Sequence, residues 1–362
     1  MNFVKFLFLT CGVLVFSETR AKSVFSLKKV CQSLPQITDI VSHPDPSNFG
    51  FFVSHKTGEL GFCDSKKLEM NLVHKFDVVT PSEMGLLSVA FSPDFLTSRK
   101  FFIHRNIAKA KKNISQISEW NFSIQKASLI SPLLNRIVFE IEQPYSNHNG
   151  GPLLFLPNGK LLLGLGDGGA ANDPHDFSQN PNSLFGKILE FDVSASSPVP
   201  TLFATGLRNP WKMTIESGET LLVADVGQNQ FEEISRVKRG GNYGWNIKEG
   251  FSCFKKNPRC SEKKFEDPIF IYDHSKGQSI TGGHVATSSE YKTLVNRYVF
   301  GDFESGRLWA LNPTQPQDFI EVLKTDFSIS TFGKTRDGKI LVANFYSGEI
   351  FSLEEIQSSR TK

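Results

Sequence analysis

The sequence contains no long apolar run beyond its first residues and no excess of charge of one sign. After residue 21 no stretch stays apolar over the roughly 20 residues that a transmembrane helix needs, so a membrane span is not expected. The 40 Lys and Arg residues nearly balance the 37 Asp and Glu residues, and the net charge of +3 is scattered along the chain. Nucleic acid is therefore not an expected partner.

Motifs for three other kinds of site are also missing. The cysteines lack the two-residue spacing and the neighbouring histidines of tetrahedral zinc sites, so zinc is kept only as an alternative for them. The Gly-rich run at residues 164–169 lacks the G-K-S or G-K-T ending of a phosphate loop. No pair of acids stands in a motif typical of glycoside hydrolases. Neither a nucleotide site nor glycoside hydrolysis is predicted.

Residues 1–21 are typical of a secretory signal peptide. Lys5 precedes an apolar stretch at residues 6–16, and Thr-Arg-Ala at residues 19–21 provides a small-residue cleavage site. We therefore expect a secreted or periplasmic protein whose remaining cysteines form disulfides. Four cysteines allow three pairings, and their places along the chain favour Cys31 with Cys63 and Cys253 with Cys260.

A repeated unit runs through the rest of the chain. Each copy has a β-rich run, a Pro-Asp or Asn-Gly type of turn and a second apolar strand. Six copies begin near Ile37, Gly85, Gly151, Pro210, Gly283 and Ser330. This spacing predicts an all-β fold, a six-bladed β-propeller of four-stranded blades that forms one domain over residues 22–362. Most of the 33 phenylalanines are expected to fill the space between blades.

Eight short motifs follow one another along these repeats. They read G-L-L-S-V-A-F-S-P-D-F, N-H-N-G-G-P-L-L-F, G-L-G-D-G-G, Q-N-P-N-S-L-F-G-K-I-L, G-L-R-N-P-W, D-V-G-Q-N-Q-F-E-E-I, N-Y-G-W and S-I-T-G-G. In this order they resemble the soluble glucose and sorbosone dehydrogenase family, which uses pyrroloquinoline quinone (PQQ) and calcium. Hedgehog-interacting-protein-like propellers share the same fold, so the fold does not decide the activity.

The resemblance implies a catalytic pair. His148 matches the general base of the family, and a neutral imidazole suits the removal of a hydroxyl proton while hydride leaves the carbon. Asp167 matches the acid that binds the other ring nitrogen and fixes the tautomer. The alternative interpretation is that both residues are ordinary turn residues, since turns favour Asn, Asp and Gly.

The resemblance also implies a cofactor site and a metal site. A guanidinium suits the carboxylates and carbonyls of PQQ, and Ca2+ accepts main-chain carbonyl and carboxylate oxygens. The expected quinone contacts are Arg208, Asn209, Asn172 and Asn147. The expected calcium ligands are Gly227, Gln228 and Glu233. Arg208 could instead pair with an acid of its own blade, and Glu233 could instead be an exposed acid at the start of a strand.

The chain departs from the family pattern in its last two blades. Glu304 stands where the resemblance implies a lysine, and the pair of arginines expected from the sixth blade is missing from S-I-S-T-F-G-K-T-R-D-G. Glu83 and Met84 replace a glutamine that often precedes G-L-L. An anion beside a tricarboxylate repels it unless a nearby cation compensates. The candidate cations are Arg307, Lys334 and Arg336.

Two functions are consistent with this pattern. The first is a secreted quinoprotein that oxidises a sugar or another CH–OH substrate and passes electrons to an external acceptor. The second is an inactive propeller that keeps the metal loop and binds a protein or a glycan.

Overall fold

The computed structural model describes residues 23–64, 67–125, 128–262 and 264–357, so the predicted signal peptide lies outside the described residues. Within these ranges the chain forms six four-stranded antiparallel sheets and one two-stranded ribbon. No helix in the described ranges is long and apolar enough to cross a membrane. The six sheets are the blades of a β-propeller, as the repeats predicted.

The first three blades are formed in chain order after an initial strand, β1 (Ser23–Gln32). Blade 1 contains β2 (Ile37–Ser42), β3 (Phe51–His55), β4 (Glu59–Cys63) and β5 (Met70–Lys75). Blade 2 contains β6 (Leu86–Phe91), the helical turn α1 (Phe95–Ser98), β7 (Lys100–Lys109), β8 (Lys112–Gln125) and β9 (Ser128–Glu142). Blade 3 contains β10 (Leu153–Phe155), β11 (Leu161–Leu165), β12 (Lys187–Phe191) and β13 (Thr201–Thr205).

Blade 4 is interrupted before its last strand. It begins with β14 (Pro210–Ser217), β15 (Thr220–Asp225) and β16 (Phe231–Val237). An excursion then carries the ribbon β17 (Lys248–Glu249) and β18 (Ser252–Cys253), followed by two 3-10 helices, Phe254–Lys256 and Pro258–Ser261. The blade is completed by β19 (Phe270–Asp273). Blade 5 contains β20 (Ile280–Val285), β21 (Tyr298–Asp302), β22 (Arg307–Leu311) and β23 (Phe319–Lys324).

Blade 6 is built from both ends of the described chain. It contains β24 (Ile329–Lys334), β25 (Ile340–Asn344) and β26 (Glu349–Gln357), and its outer strand is β1, which pairs with β26. A disulfide between Cys31 on β1 and Cys63 on β4 joins blade 6 to blade 1. A second disulfide, Cys253 to Cys260, closes the excursion of blade 4. Both predicted pairings are confirmed, and they leave these cysteines no thiolate for zinc.

Aromatic side chains fill the space between neighbouring blades. At the interface of blades 1 and 2, Phe52 packs on Phe91 with ring centroids 4.7 Å apart, and Phe101 stacks on Phe122 at 4.6 Å. All but Phe91 of these rings are almost fully buried in one cluster with Trp120. Since each twisted sheet covers the face of the next, the blade interfaces form the core, as expected for a ring of repeats.

The first strand of each blade lines a channel along the axis of the ring. These strands are β2, β6, β10, β14, β20 and β24, and each contacts the first strands of its neighbours. The upper mouth, at their N-terminal ends, is a cavity of about 270 Å³ that includes Glu83, Asn209 and Glu304. The lower mouth, at their C-terminal ends, is a cavity of about 350 Å³ that includes His284 and Lys334.

Candidate active site

His148 lies in a tight loop immediately before blade 3, at the upper end of the propeller. Its φ of 52° is in the left-handed region, which costs free energy for a residue with a side chain. The loop packs closely against β11, because a Cβ on Gly150 would lie 2.4 Å from the carbonyl oxygen of Gly164. Only glycine fits there, and this close approach holds the buried His148 side chain in one place.

Asp167 and Trp245 fix the orientation of the His148 ring. Nδ1 of His148 lies 2.7 Å from Oδ1 of Asp167, and both side chains are buried. Oδ2 of Asp167 accepts a hydrogen bond from Nε1 of Trp245 at 2.8 Å. Because a carboxylate only accepts hydrogen bonds, Nδ1 is the donor in this contact and the lone pair of Nε2 points away from Asp167. The two predicted residues are therefore in direct hydrogen-bond contact, and the role of His148 as a general base stays a prediction.

Arg208 holds the other side of the ring. One terminal guanidinium nitrogen lies 2.8 Å from Nε2 of His148, and the other donates to the carbonyl oxygen of Val226 at 2.8 Å. The guanidinium also lies over the Trp245 ring, 5.7 Å from its centroid. A substrate hydroxyl that binds Nε2 must therefore replace the hydrogen bond from Arg208.

Asp225 positions the turn that carries Arg208 and Asn209. Its carboxylate accepts hydrogen bonds from the main-chain nitrogens of Arg208 at 2.9 Å and of Asn209 at 2.6 Å. Burial raises the pKa of Asp225 to about 6 even though these two hydrogen bonds favour the ionised form. The sequence interpretation missed this residue, although it opens the D-V-G-Q-N motif.

The three predicted asparagines brace the loops around this centre. Asn209 accepts a hydrogen bond from the Gly150 nitrogen at 3.0 Å and donates to Glu83 at 3.1 Å. The side-chain oxygen of Asn147 accepts a hydrogen bond from the main-chain nitrogen of Ala170. The main-chain nitrogen of Asn172 donates a hydrogen bond to the side chain of Gln228. Asn209 therefore contacts the loop that carries His148, while Asn147 and Asn172 join neighbouring loops to one another.

The predicted metal loop is organised by an acid that sequence reasoning missed. Oε1 of Glu249, on β17, accepts hydrogen bonds from the main-chain nitrogens of Gln228, Asn229 and Gln230, at 2.9, 2.7 and 2.9 Å. Gly227 must be glycine, since a Cβ there would lie 1.6 Å from the carbonyl oxygen of Phe231. Glu249 follows this loop by about 20 positions in the sequence, and no sequence motif links the two.

A small cavity lies beneath this loop and has room for a single ion or water. Its volume is about 10 Å³, and it is lined by Asp225, Gly227, Glu233 and Glu249 among others. Burial, followed by the charges of Asp225 and Glu249, raises the pKa of Glu233 to about 8. No three His, Cys, Asp or Glu side chains converge as a ligand set within the described ranges. A Ca2+ ion here would need main-chain oxygens alongside fewer than three carboxylates.

The upper mouth is not lined by the cations that the sequence offered as compensation for Glu304. Arg307 pairs with Glu321 at 2.7 Å, Arg336 is exposed, and Lys334 lines the opposite mouth. The sequence offered these three cations only as candidates, and none of them lines the upper mouth. Lys56 is the basic side chain that does line the upper mouth.

Residues 38–350 match the protein family described as Glucose / Sorbosone dehydrogenase. The chain therefore belongs to the glucose and sorbosone dehydrogenase family. The HIPL1 protein of Arabidopsis thaliana is 30% identical over 81% of this chain and 55% of its own length. Human Hedgehog-interacting protein is 24% identical over 79% of this chain and 44% of its own length. The chain thus spans about half the length of these curated relatives.

Solved structures share the fold. The PQQ-bound aldose sugar dehydrogenase of Streptomyces coelicolor superposes with a TM-score of 0.73 at 21% identity, covering 93% of this chain and 99% of that chain. At this identity the similarity establishes the propeller and not the activity. Family membership and fold together place the chain among sugar-dehydrogenase-like propellers, a group that also contains Hedgehog-interacting protein.

Proposed function

We propose that the protein is a secreted oxidoreductase that oxidises a CH–OH group of a sugar or a polyol at the upper mouth. The observation that carries this proposal is the buried chain of hydrogen bonds from Trp245 through Asp167 to His148. It leaves Nε2 of His148 as the basic atom of the ring. The two disulfides support an oxidising, extracellular or periplasmic location.

Each residue of this hydrogen-bonded series has a separate role. Nε2 of His148 takes the proton of the substrate hydroxyl, which allows the hydrogen on the same carbon to leave as hydride. Asp167 stabilises the resulting imidazolium, and Trp245 prevents the carboxylate from rotating away. Arg208 occupies Nε2 before substrate arrives and can then turn its guanidinium toward the oxygen that carries developing charge.

Calcium and PQQ are the cofactors that the family membership supports. Arg208 and Asn209 would hold the quinone. The ion would be held by Gly227 and Glu233, which line the small cavity, together with the neighbouring Gln228. The single-ion cavity and its carboxylates fit a hard cation. The quinone supplies the hydride acceptor, and turnover then requires an external electron acceptor.

The charges on the far side of the upper mouth fit the quinone less well. Glu83 and Glu304 both line the cavity, against the single lysine Lys56. We expect these carboxylates to weaken the binding of a tricarboxylate. They also favour a second candidate function, a propeller without turnover whose upper loops bind a protein or a glycan. Quinone binding separates the two candidates.

A dye-linked assay tests the proposal directly. Mature protein is loaded with calcium and PQQ and is supplied with aldoses and polyols and an artificial electron acceptor. We expect dye reduction by the wild type and by His175→Asn, an exposed histidine near the site, and none above background by His148→Asn. Equal activity of His148→Asn and the wild type would contradict the role of His148. A loaded wild type without activity would favour the binding function.

A further inference from the structure

The lower mouth of the channel is separate from the site that contains His148. Its cavity of about 350 Å³ is surrounded by the C-terminal ends of the first strands. Trp211 lines both this cavity and the upper mouth. Its indole nitrogen donates to the carbonyl oxygen of Ser330 at 3.1 Å, which fixes the ring between the two cavities. A ligand in the lower mouth therefore does not touch the upper centre.

One lysine of the lower cavity is already neutralised. Lys212 on blade 4 forms an ion pair with Asp39 on blade 1, half the ring away, and both side chains are buried. Asp39 also accepts hydrogen bonds from Oγ of Ser88 at 2.7 Å and from the nitrogen of Val89 at 3.3 Å. This acid is therefore saturated, and it has no oxygen left for a second cation.

A second lysine of the cavity has no such partner. Lys334, at the end of β24, is half-buried, and no carboxylate forms an ion pair with it in the described part of the chain. Burial lowers the pKa of its ammonium. His284, on the adjacent strand β20, has a buried Nε2 without a hydrogen-bonding partner among the described residues. Asp39 is the only acid of the lining, so the cavity carries one uncompensated positive charge.

The rest of the wall is mostly apolar. It includes Ile40, Leu87, Val89, Leu154 and Phe155. A sugar would find few hydrogen-bonding partners on this wall, and a dianion would leave one charge unpaired in a partly buried space. A single negative charge on an apolar body satisfies both features. The volume is in the range of small-molecule sites.

We propose that the lower mouth is a second ligand site, which binds a small organic carboxylate through Lys334 and holds its apolar body against the channel wall. This site is independent of the oxidoreductase proposal, because none of the residues around His148 takes part. A benzoate-sized aromatic acid or a short aliphatic acid has the required charge and size.

Calorimetric titration of the mature protein tests this proposal. The probes are sodium benzoate, sodium hexanoate, uncharged benzyl alcohol and inorganic phosphate. We expect saturable binding of at least one of the two carboxylates, and affinity for benzyl alcohol lower by about tenfold or more, since a charge-assisted contact contributes that much. Equal affinity for benzoate and benzyl alcohol, tighter binding of phosphate, or no saturable binding of either carboxylate would overturn the proposal.

Lys334 variants locate the site. We expect Lys334→Met to weaken carboxylate binding by about tenfold or more and Lys334→Arg to retain it. The matched control is Lys324→Met, an exposed lysine at the end of β23, which should bind as the wild type does. Trp211 gives an independent signal, because a ligand beside its ring should change the indole fluorescence, and Trp211→Phe should remove that change. Wild-type affinity in a folded Lys334→Met variant would refute the assignment.

Discussion

The side chains of three histidines differ in the contacts that they make. His148 donates to a carboxylate, His104 faces the carbonyl oxygen of Gly151 at 3.1 Å, and His284 lies between two lysines of the lower mouth. Of these three, only His148 bonds a carboxylate, and its Nε2 lies against the guanidinium of Arg208. The same residue type is therefore a candidate base in one place and a structural residue in another.

The Asp167→Asn variant should show whether Asp167 acts by orienting the His148 ring or only by filling space beside it. The amide keeps the shape of the side chain but can donate to Nδ1, which places the proton on Nε2 and removes the basic lone pair. In the loaded enzyme we expect turnover to fall by about 10³-fold to 10⁴-fold with little change in KM. Steady-state kinetics provides the measurement, with the exposed Asp176→Asn as control. Unchanged turnover in Asp167→Asn would show that the dyad is structural.

His104 should make stability depend on pH. Burial lowers the pKa of its imidazole from 6.5 to about 4, so the folded chain stays unprotonated while the unfolded chain takes up a proton below about pH 6.5. The unfolded state therefore binds more protons between pH 6.5 and 4, and stability falls as pH falls through this window. The full effect of this one group is on the order of 3 kcal/mol.

His104→Gln should flatten this dependence relative to the wild type. Urea unfolding at pH 7 and pH 4.5 measures the difference, and the exposed His175→Gln should behave as the wild type does. The same loss of stability in His104→Gln and in the wild type would show that the imidazole is not the group responsible.

The order of motifs along the chain pointed to four residues that the structure brings close to one another, and their catalytic roles stay a prediction. His148, Asp167, Arg208 and Asn209 all follow recognisable turns, and the structure brings them together. Trp245 and Glu249 were not predicted, since their partners lie in other loops and the contacts depend on how blades 3 and 4 pack. A sequence pattern reports local geometry and carries no direct information on such distant contacts.

At the scale of elements, ring closure is the feature that the repeats could not reveal. Six copies predicted six blades, but only the structure shows that β1 supplies the outer strand of blade 6. The first strand and the last strands are far apart in sequence, so no local signal links them. The disulfide from Cys31 to Cys63 then ties this closing strand to the next blade.

Removing the two disulfides should have unequal effects. Cys31 and Cys63 are separated by 32 positions, and Cys253 and Cys260 by 7. Chain-entropy arguments predict losses of about 4 and about 2 kcal/mol respectively. Denaturant unfolding of the Cys31→Ser/Cys63→Ser and Cys253→Ser/Cys260→Ser variants tests this order. A larger loss in the second variant would contradict a closing role for the first disulfide.

Gly282 on β20 allows Lys212 to cross the channel. Its φ is 69°, and a Cβ there would lie 2.2 Å from Cβ of Lys212. Gly159, with a φ of 82° and no atom within 4 Å of a Cβ, is the matched control. Gly159→Ala should cost about 1 kcal/mol from backbone strain alone, and Gly282→Ala should cost clearly more because the ion pair is displaced. Equal losses in urea unfolding would show that Lys212 adapts freely.

At the scale of the whole molecule, the channel has two mouths of different character. The upper mouth carries two glutamates and one lysine, and the lower mouth combines an apolar wall with one lysine that has no ion pair among the described residues. The sequence offered Lys334 as one of three candidate cations to compensate Glu304, which lines the upper mouth. The structure places Lys334 at the other end, because the strand that carries it crosses the full depth of the ring.

We expect the charge of Glu304 to decide how well the upper mouth can hold an anionic quinone. Glu304→Lys restores a cation at that position, and we expect it to tighten PQQ binding by about tenfold or more. Arg208→Ala should weaken binding by a similar factor, since it removes the guanidinium contact. Glu69→Lys is the control, because this acid is exposed on blade 1 and forms no ion pair in the described part of the chain.

Calorimetric titration of the calcium-loaded mature protein with PQQ is the most direct test of the oxidoreductase proposal. We predict saturable binding to the wild type, weaker binding to Arg208→Ala and tighter binding to Glu304→Lys. The absence of binding at high micromolar quinone, in the wild type and in Glu304→Lys alike, would contradict the proposal and leave the protein-binding or glycan-binding propeller as the function of the upper mouth.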